Sequence, residues 1–257
     1  MNQNPYAAPQ SRVVTASMPG AGLLEQPLAL PSSAAFDWLR KGWRMFLLAP
    51  GIWVLMALLA GLGYAFFVMI PFGGLVVQAL MPIVLAGFYV GADRLNFGES
   101  LDLAQISAGF SRHPGPLALV GVISGLVQFA IMLPLAFGLI AIGEGYGDGN
   151  GLFANGDALF VTMLVAIVAM TLVLFLVSLL TWFAPLLIAI DHQDLIQALR
   201  LGFRGCRRNV APILLLATVT ISVLLGLLLT LGLGYLVVLP WYCCVSYVAY
   251  RQIFFGD

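Results

Sequence analysis

A chain of 257 residues that is 61% hydrophobic and 9% charged cannot clothe a water-soluble globule, whose residues are about one-quarter charged. Its 11 basic and 11 acidic residues cancel, and without a positive field there is little to hold a nucleic acid. What composition leaves is an all-α polytopic membrane protein.

In chain order, residues 1–35 come first. They are rich in Pro, Ala, Ser and Gln, and Glu25, Pro27 and Pro31 interrupt the only stretch that resembles the apolar part of a signal peptide. The segment reads as an uncleaved, disordered cytoplasmic tail, followed by a transmembrane domain over 36–257. Six stretches approach the roughly 20 apolar residues that a helix needs to cross the hydrocarbon core: 51–70, 74–92, 117–142, 158–190, 211–231 and 232–250. The fourth is long enough to need tilt, or to leave the bilayer beyond Pro185. PFGG (71–74) and GLG (232–234) read as tight reversals in which glycine supplies the unusual backbone angles. Helical hairpins follow.

Each pair of stretches has an amphipathic lead-in: AFDWLRKGWRMFLLAP (35–50), LDLAQISAGFSRHPGP (101–116) and DLIQALRLGFRGCRRNVAP (194–212). Every lead-in has Gly plus an aromatic (Gly42-Trp43, Gly109-Phe110, Gly202-Phe203), then basic residues, then Pro. The returning stretches echo one another too. Pro240, Tyr247, Val248, Phe255 and Gly256 repeat Pro82, Tyr89, Val90, Phe97 and Gly98 at a constant offset. The chain therefore reads as three units, about 36–98, 99–191 and 192–257, each an interfacial helix and a membrane hairpin; the middle unit shows the echo least. Such units stack because one hairpin cannot cover its own packing surface.

The basic residues fix an orientation. Arg12, Arg40, Lys41, Arg44, Arg94, Arg112, Arg200, Arg204, Arg207, Arg208 and Arg251 all fall in the tail, the lead-ins or the connectors on one side. The other side has the turns and the loop 143–157, whose charges are Glu144, Asp148 and Asp157. Cations belong on the cytoplasmic side, which predicts six crossings of a bacterial inner membrane with both termini inside. In the third lead-in Leu195, Ile196, Leu199 and Phe203 oppose Gln193, Gln197, Arg200, Arg204 and Arg208. Asp191 suits an N-cap, and Asp194 suits the first turn of the helix dipole. Arg40, Lys41, Arg44, Arg200, Arg204, Arg207 and Arg208 are the candidate contacts to anionic lipid headgroups, each worth about 1 kcal/mol near an anionic leaflet.

Chemistry is harder to find. No Asp, Glu, Lys, Arg or His lies within the core of a predicted span, where a charge would mark an ion path or catalysis. Asp191-His192-Gln193-Asp194 lacks metal-site spacing, the glycine-rich loop misses the calcium-loop pattern, and Cys206, Cys243 and Cys244 form no pairing framework. No catalytic residue, cofactor or metal ligand is predicted. Gly121 and Gly125 form a close-approach G-x-x-x-G. Trp38, Trp43, Trp182 and Trp241 read as amphipathic anchors, the last two facing neighbouring helices.

WFAPLLIAID (182–191), QALRLGF (197–203), RRN (207–209) with Pro212, GWRMFLLAPGIW (42–53) and YRQIF (250–254) resemble a proteobacterial six-span inner-membrane family of unknown function. That family is similar to the membrane domain found beside glycerophosphodiester phosphodiesterases. The resemblance covers about 36–255 and implies an inner-membrane helical bundle, with no agreed substrate and no phosphodiesterase activity to carry over. The expected function is a non-enzymatic scaffold, regulatory or envelope-homeostasis role, with anionic lipids and a second copy or another membrane protein as partners. The alternative is a transporter or channel for a small apolar or lipid-like substrate, which a lipid-sized cavity between units would favour.

Overall fold

A computed structural model describes residues 22–24, 26–147, 156–229 and 232–257, and among these it is helical with no strand. First come α1 (Ala34–Leu48), α2 (Pro50–Val68) and α3 (Gly73–Asn96). A 3-10 turn (Leu103–Ser107), α4 (Ala108–Ser111), α5 (Pro114–Gly147), α6 (Gly156–Thr181) and α7 (Ala184–Ala189) follow. Last come α8 (Leu195–Arg208), α9 (Val210–Leu229) and α10 (Tyr235–Phe254). Residues 148–155, most of the glycine-rich loop, lie outside the described residues, as do 1–21.

Three described helices are long and apolar enough to cross a bilayer: α2, α3 and the stretch Pro114–Pro134 of α5. A fourth arises if α8 and the first part of α9, bent by 89°, are counted as one. The chain is a membrane protein on this evidence of length and hydropathy. Its outward surface agrees: Leu62, Phe66, Leu126, Phe129, Phe160 and Val165 are all exposed. In α3 half of the apolar window is buried, against 17% in α2 and α5, so α3 is the inner one of these three, and α10 is buried to a similar degree.

Several local details differ from expectation. The long fourth stretch is broken at Trp182–Phe183, where Pro185 opens a new helix in its first turn; proline fits there because that N–H has no helical partner. α7 is then wholly buried. At the α2–α3 turn the left-handed residue is Phe72 (φ 62°), not a glycine. Gly73 is needed for closeness instead, since a Cβ there would lie 1.6 Å from the Phe67 carbonyl oxygen. Gly232 (φ 84°) does carry the left-handed backbone ahead of α10.

Two of the three lead-in glycines, Gly42 and Gly109, are seats of close approach, and Gly202 makes ordinary contact. A Cβ on Gly42 would meet Val245 of α10 at 2.5 Å, and one on Gly109 would meet the Ile83 carbonyl oxygen of α3 at 1.9 Å. One on Gly202 would meet Phe183 and Ala184, at the start of α7, at 3.5 and 3.7 Å. Each lead-in thus lies against a helical segment from elsewhere in the chain. The neighbouring aromatics Trp43, Phe110 and Phe203 are 44%, 50% and 43% exposed, the same orientation three times. The ends of α3 and α10 also match, each closing on a phenylalanine followed by a left-handed glycine, Gly98 (φ 76°) and Gly256 (φ 83°). At α3 the Glu99 and Gly98 N–H groups cap Arg94 and Leu95 in a Schellman arrangement.

Proline and glycine cooperate where α3 meets α5. Pro82 inside α3 has no N–H to give the Gln78 carbonyl. Gly121 closes on that carbonyl, leaving a notional Cβ only 2.1 Å away, and Gly125 closes on the Gln78 side chain. The G-x-x-x-G is a helix contact, as its spacing suggests.

The tail needs correction over 26–33. Instead of being disordered, this stretch is a strap laid on the ends of α8 and α10. Leu24 and Leu28 N–H donate to the Phe254 and Ile253 carbonyls at 3.0 and 2.8 Å. The buried Asn209 accepts from Leu30 N–H at 2.8 Å and donates to the Leu28 and Gly205 carbonyls at 2.8 and 2.9 Å. Pro27 and Pro31 exclude a helix, but backbone polar groups must still find partners, and Asn209 supplies them.

Candidate functional site

The seven predicted headgroup residues do not form one site. Arg40 pairs with Asp37 at 3.0 Å, with both side chains at least half exposed, an arrangement that contributes little. Arg40, Lys41 and Arg44 lie on α1; Lys41 borders a different groove with Asp37, Gln252 and Asp257. Arg204, Arg207 and Arg208 do converge. With Phe203, Gln26 and Pro27 they line a groove of about 330 Å³. Arg208 is engaged there, donating to the Pro27 carbonyl at 2.8 Å and the Gln26 side chain at 3.1 Å. Arg204 and Arg207 have no acidic partner among the described residues, and Arg200 lies one turn back on the same exposed face of α8.

The packing side of α8 is Ala198, Gly202, Gly205 and Cys206, while Ile196 and Phe203 are exposed beside the arginines. Small residues bring the helix close to its neighbours, and the bulky apolar ones are left at the rim, where a cation and an apolar surface meet. Burial pushes the Cys206 thiol up to about 12, and all three cysteines are buried. They are inert packing residues.

A polar cluster that sequence reasoning missed sits at this end of the bundle. Tyr247 donates to Asp93 at 2.8 Å and Tyr250 donates to Asp191. Asp191 is therefore not a helix cap; Asp194 is the residue before α8, and it makes no side-chain cap bond. Between them the chain turns at left-handed His192 (φ 54°), whose Nδ1 lies 3.0 Å from Nε2 of His113. Burial above all holds the Asp191 carboxyl higher than the usual carboxylate range; the Tyr250 donation pulls the other way, and Asp93 adds to the rise. Arg251 bonds Asp257 and lies over Phe255 at 4.4 Å and Phe97 at 5.8 Å, the two echoed phenylalanines. The cluster ties the end of α10 to the end of α3 and to the turn ahead of α8. Among the described residues no group of His, Cys, Asp and Glu could hold a metal.

Trp38 is no interfacial anchor: it is fully buried and donates to Gln252 at 2.8 Å. Trp182 donates to Ser246 at 3.0 Å and stacks on Tyr242. These two aromatics help line a cleft of about 410 Å³ bordered by α3, α5, α6, α7, α9 and α10. Compared with protein-family models, with curated proteins and with solved structures, the chain matches none.

Proposed function

We propose that this chain is a six-span inner-membrane protein, non-enzymatic, that acts as a scaffold or regulator and holds anionic lipid headgroups at its cytoplasmic face. The observation that carries this is the Arg204–Arg207 pair, set with no acidic partner among the described residues in a groove beside exposed Phe203. An anionic phosphate with attached acyl chains suits such a pairing of cation and apolar rim. The six-span threading draws support from α6, α9 and α10, which fall on the remaining apolar stretches. The 89° turn between α8 and α9 suits an interfacial helix leading into a span better than one continuous crossing. The glycine seats and matching helix ends favour three related units. The proteobacterial family resemblance fits the same reading.

Two measurements test it. Native mass spectrometry of the purified protein should show retained anionic phospholipid. Arg204→Gln/Arg207→Gln should lose roughly thirty-fold in retention, from about 1 kcal/mol per arginine, while Arg208→Gln should lose far less because that side chain serves the strap. Unchanged retention in the double variant removes the proposal. For topology, the native thiols are buried, so introduced cysteines report cleanly. Phe72→Cys and Leu233→Cys should react with an impermeant maleimide from outside, Ser100→Cys and Asp194→Cys only after permeabilisation. The reverse pattern would overturn the threading.

The cleft supports a second reading, movement of a small apolar or lipid-like substrate, because it lies between units rather than inside one. Flux in liposomes is its test.

A further inference from the structure

The cleft has a particular chemistry. No charged side chain lines it, and an unpaired charge would be costly there. Its walls are mainly aliphatic and aromatic, and its volume of about 410 Å³ falls in the range of small-molecule sites, about 300–1,000 Å³. Of the polar exceptions, Trp182, Tyr89 and Tyr242 are each hydrogen-bonded to Ser246, and the others are of two kinds. Ser124, Ser178, Thr181 and Thr220 donate to the carbonyls of Val120, Leu174, Val177 and Leu216 in their own helices at 2.7–3.1 Å. Those hydroxyl protons are spent, and only weak acceptor capacity is left. Gln78 and Gln128 differ. Both border the cleft, and among the described residues neither side-chain amide has a hydrogen-bond partner. An amide left unsatisfied away from water costs about 1–3 kcal/mol.

We propose that this cleft binds a neutral, mainly aliphatic molecule carrying one hydrogen-bonding oxygen, which the Gln78 and Gln128 amides receive. The inference deepens the second reading above, and it requires only that the cleft be occupied, not that its occupant be moved. A hydrocarbon alone would leave both amides unmet. A charged headgroup would find no counter-ion. A neutral carbonyl or hydroxyl on an aliphatic chain meets both conditions. Its source is either an acyl chain of a bilayer phospholipid, through the ester, or a free neutral amphiphile.

The test uses the full chain in nanodiscs with two photoreactive probes: a long-chain alcohol and a phosphatidylcholine, each with a diazirine in its aliphatic chain. Peptide mapping should place adducts on cleft residues such as Met81, Leu216 and Thr220, beside the general labelling of outward Leu126 and Phe129. Ala217→Trp, which fills the cleft, should reduce cleft adducts at least tenfold while outward adducts persist. Gln78→Leu/Gln128→Leu should remove most of the alcohol's advantage over a matched diazirine alkane. Cleft labelling by the alcohol alone assigns a free amphiphile; equal labelling by the phospholipid assigns a bilayer lipid. Adducts confined to outward positions, or unchanged by Ala217→Trp, would overturn the inference. Retention of anionic lipid serves as the folding control, and Ser178→Phe fills the cleft from α6 should Ala217→Trp fail it. Labelling without flux would sink the transport reading and leave this one standing.

Discussion

Replacing Gly109 with alanine should cost about 3 kcal/mol or more, near the top of the range for overpacking. The new methyl would lie 1.9 Å from the Ile83 carbonyl oxygen and 2.8 Å from its carbon. The obstacle is backbone in the inner helix, not the far end of a flexible side chain, so no rotamer change relieves it. α3 has little room to retreat, since it is also packed against α2 and α10. Gly202→Ala provides the contrast. Its nearest neighbours are at 3.5 Å or beyond, ordinary contact, and alanine favours a helix over glycine by roughly 0.5–1 kcal/mol. Gly202→Ala should be neutral to stabilising. Thermal melts of the two purified variants, followed by circular dichroism, decide the matter; equal melting temperatures would show that close approach does not set these seats.

Asn209→Ala should release the strap. Asn209 is fully buried and serves Leu30, Leu28 and Gly205 together. Without it, a donor and an acceptor on the strap lose their partner, and a buried unsatisfied group costs about 1–3 kcal/mol. Because the strap can lift into water and rehydrate, the expected loss is about 2–3 kcal/mol and local. Limited proteolysis should cut within residues 22–33 at least tenfold faster than in wild type, with helix content unchanged. Asn209→Asp keeps the acceptor for Leu30 N–H, loses the donors, and should fall between. Equal cutting in all three proteins would mean that Asn209 does not hold this segment.

The helical class and the membrane-length helices are legible in the sequence because they depend on local properties: apolar run length and where glycine and proline interrupt it. The close approach of α5 to α3 was legible in Gly121 and Gly125. Facing residues were not. α5 and α6 are apolar all round, so periodicity gives no hint of which side borders the cleft or of Gln128 sharing it with Gln78 of α3. The strap was hidden for a different reason. Pro27 and Pro31 rightly exclude a helix, but the partner that orders this stretch, Asn209, is far along the chain. Asp191 misled because a carboxylate before a helix usually caps it; here Tyr250, from the last helix, claims the oxygen. A signal did exist: Tyr247 and Tyr250 are two hydroxyls near the end of an apolar helix, and such groups seek an acceptor.

The first lead-in rests on the last helix. Gly42 is seated against Val245, Trp38 donates to Gln252, and Leu24 and Leu28 bond the Phe254 and Ile253 carbonyls. During synthesis these seats are translated long after the segments that rest on them, so the N-terminal segments must wait without their partners until α10 is made. A nascent chain arrested before Pro240 would therefore display an uncovered α1 to the cell's quality-control proteases.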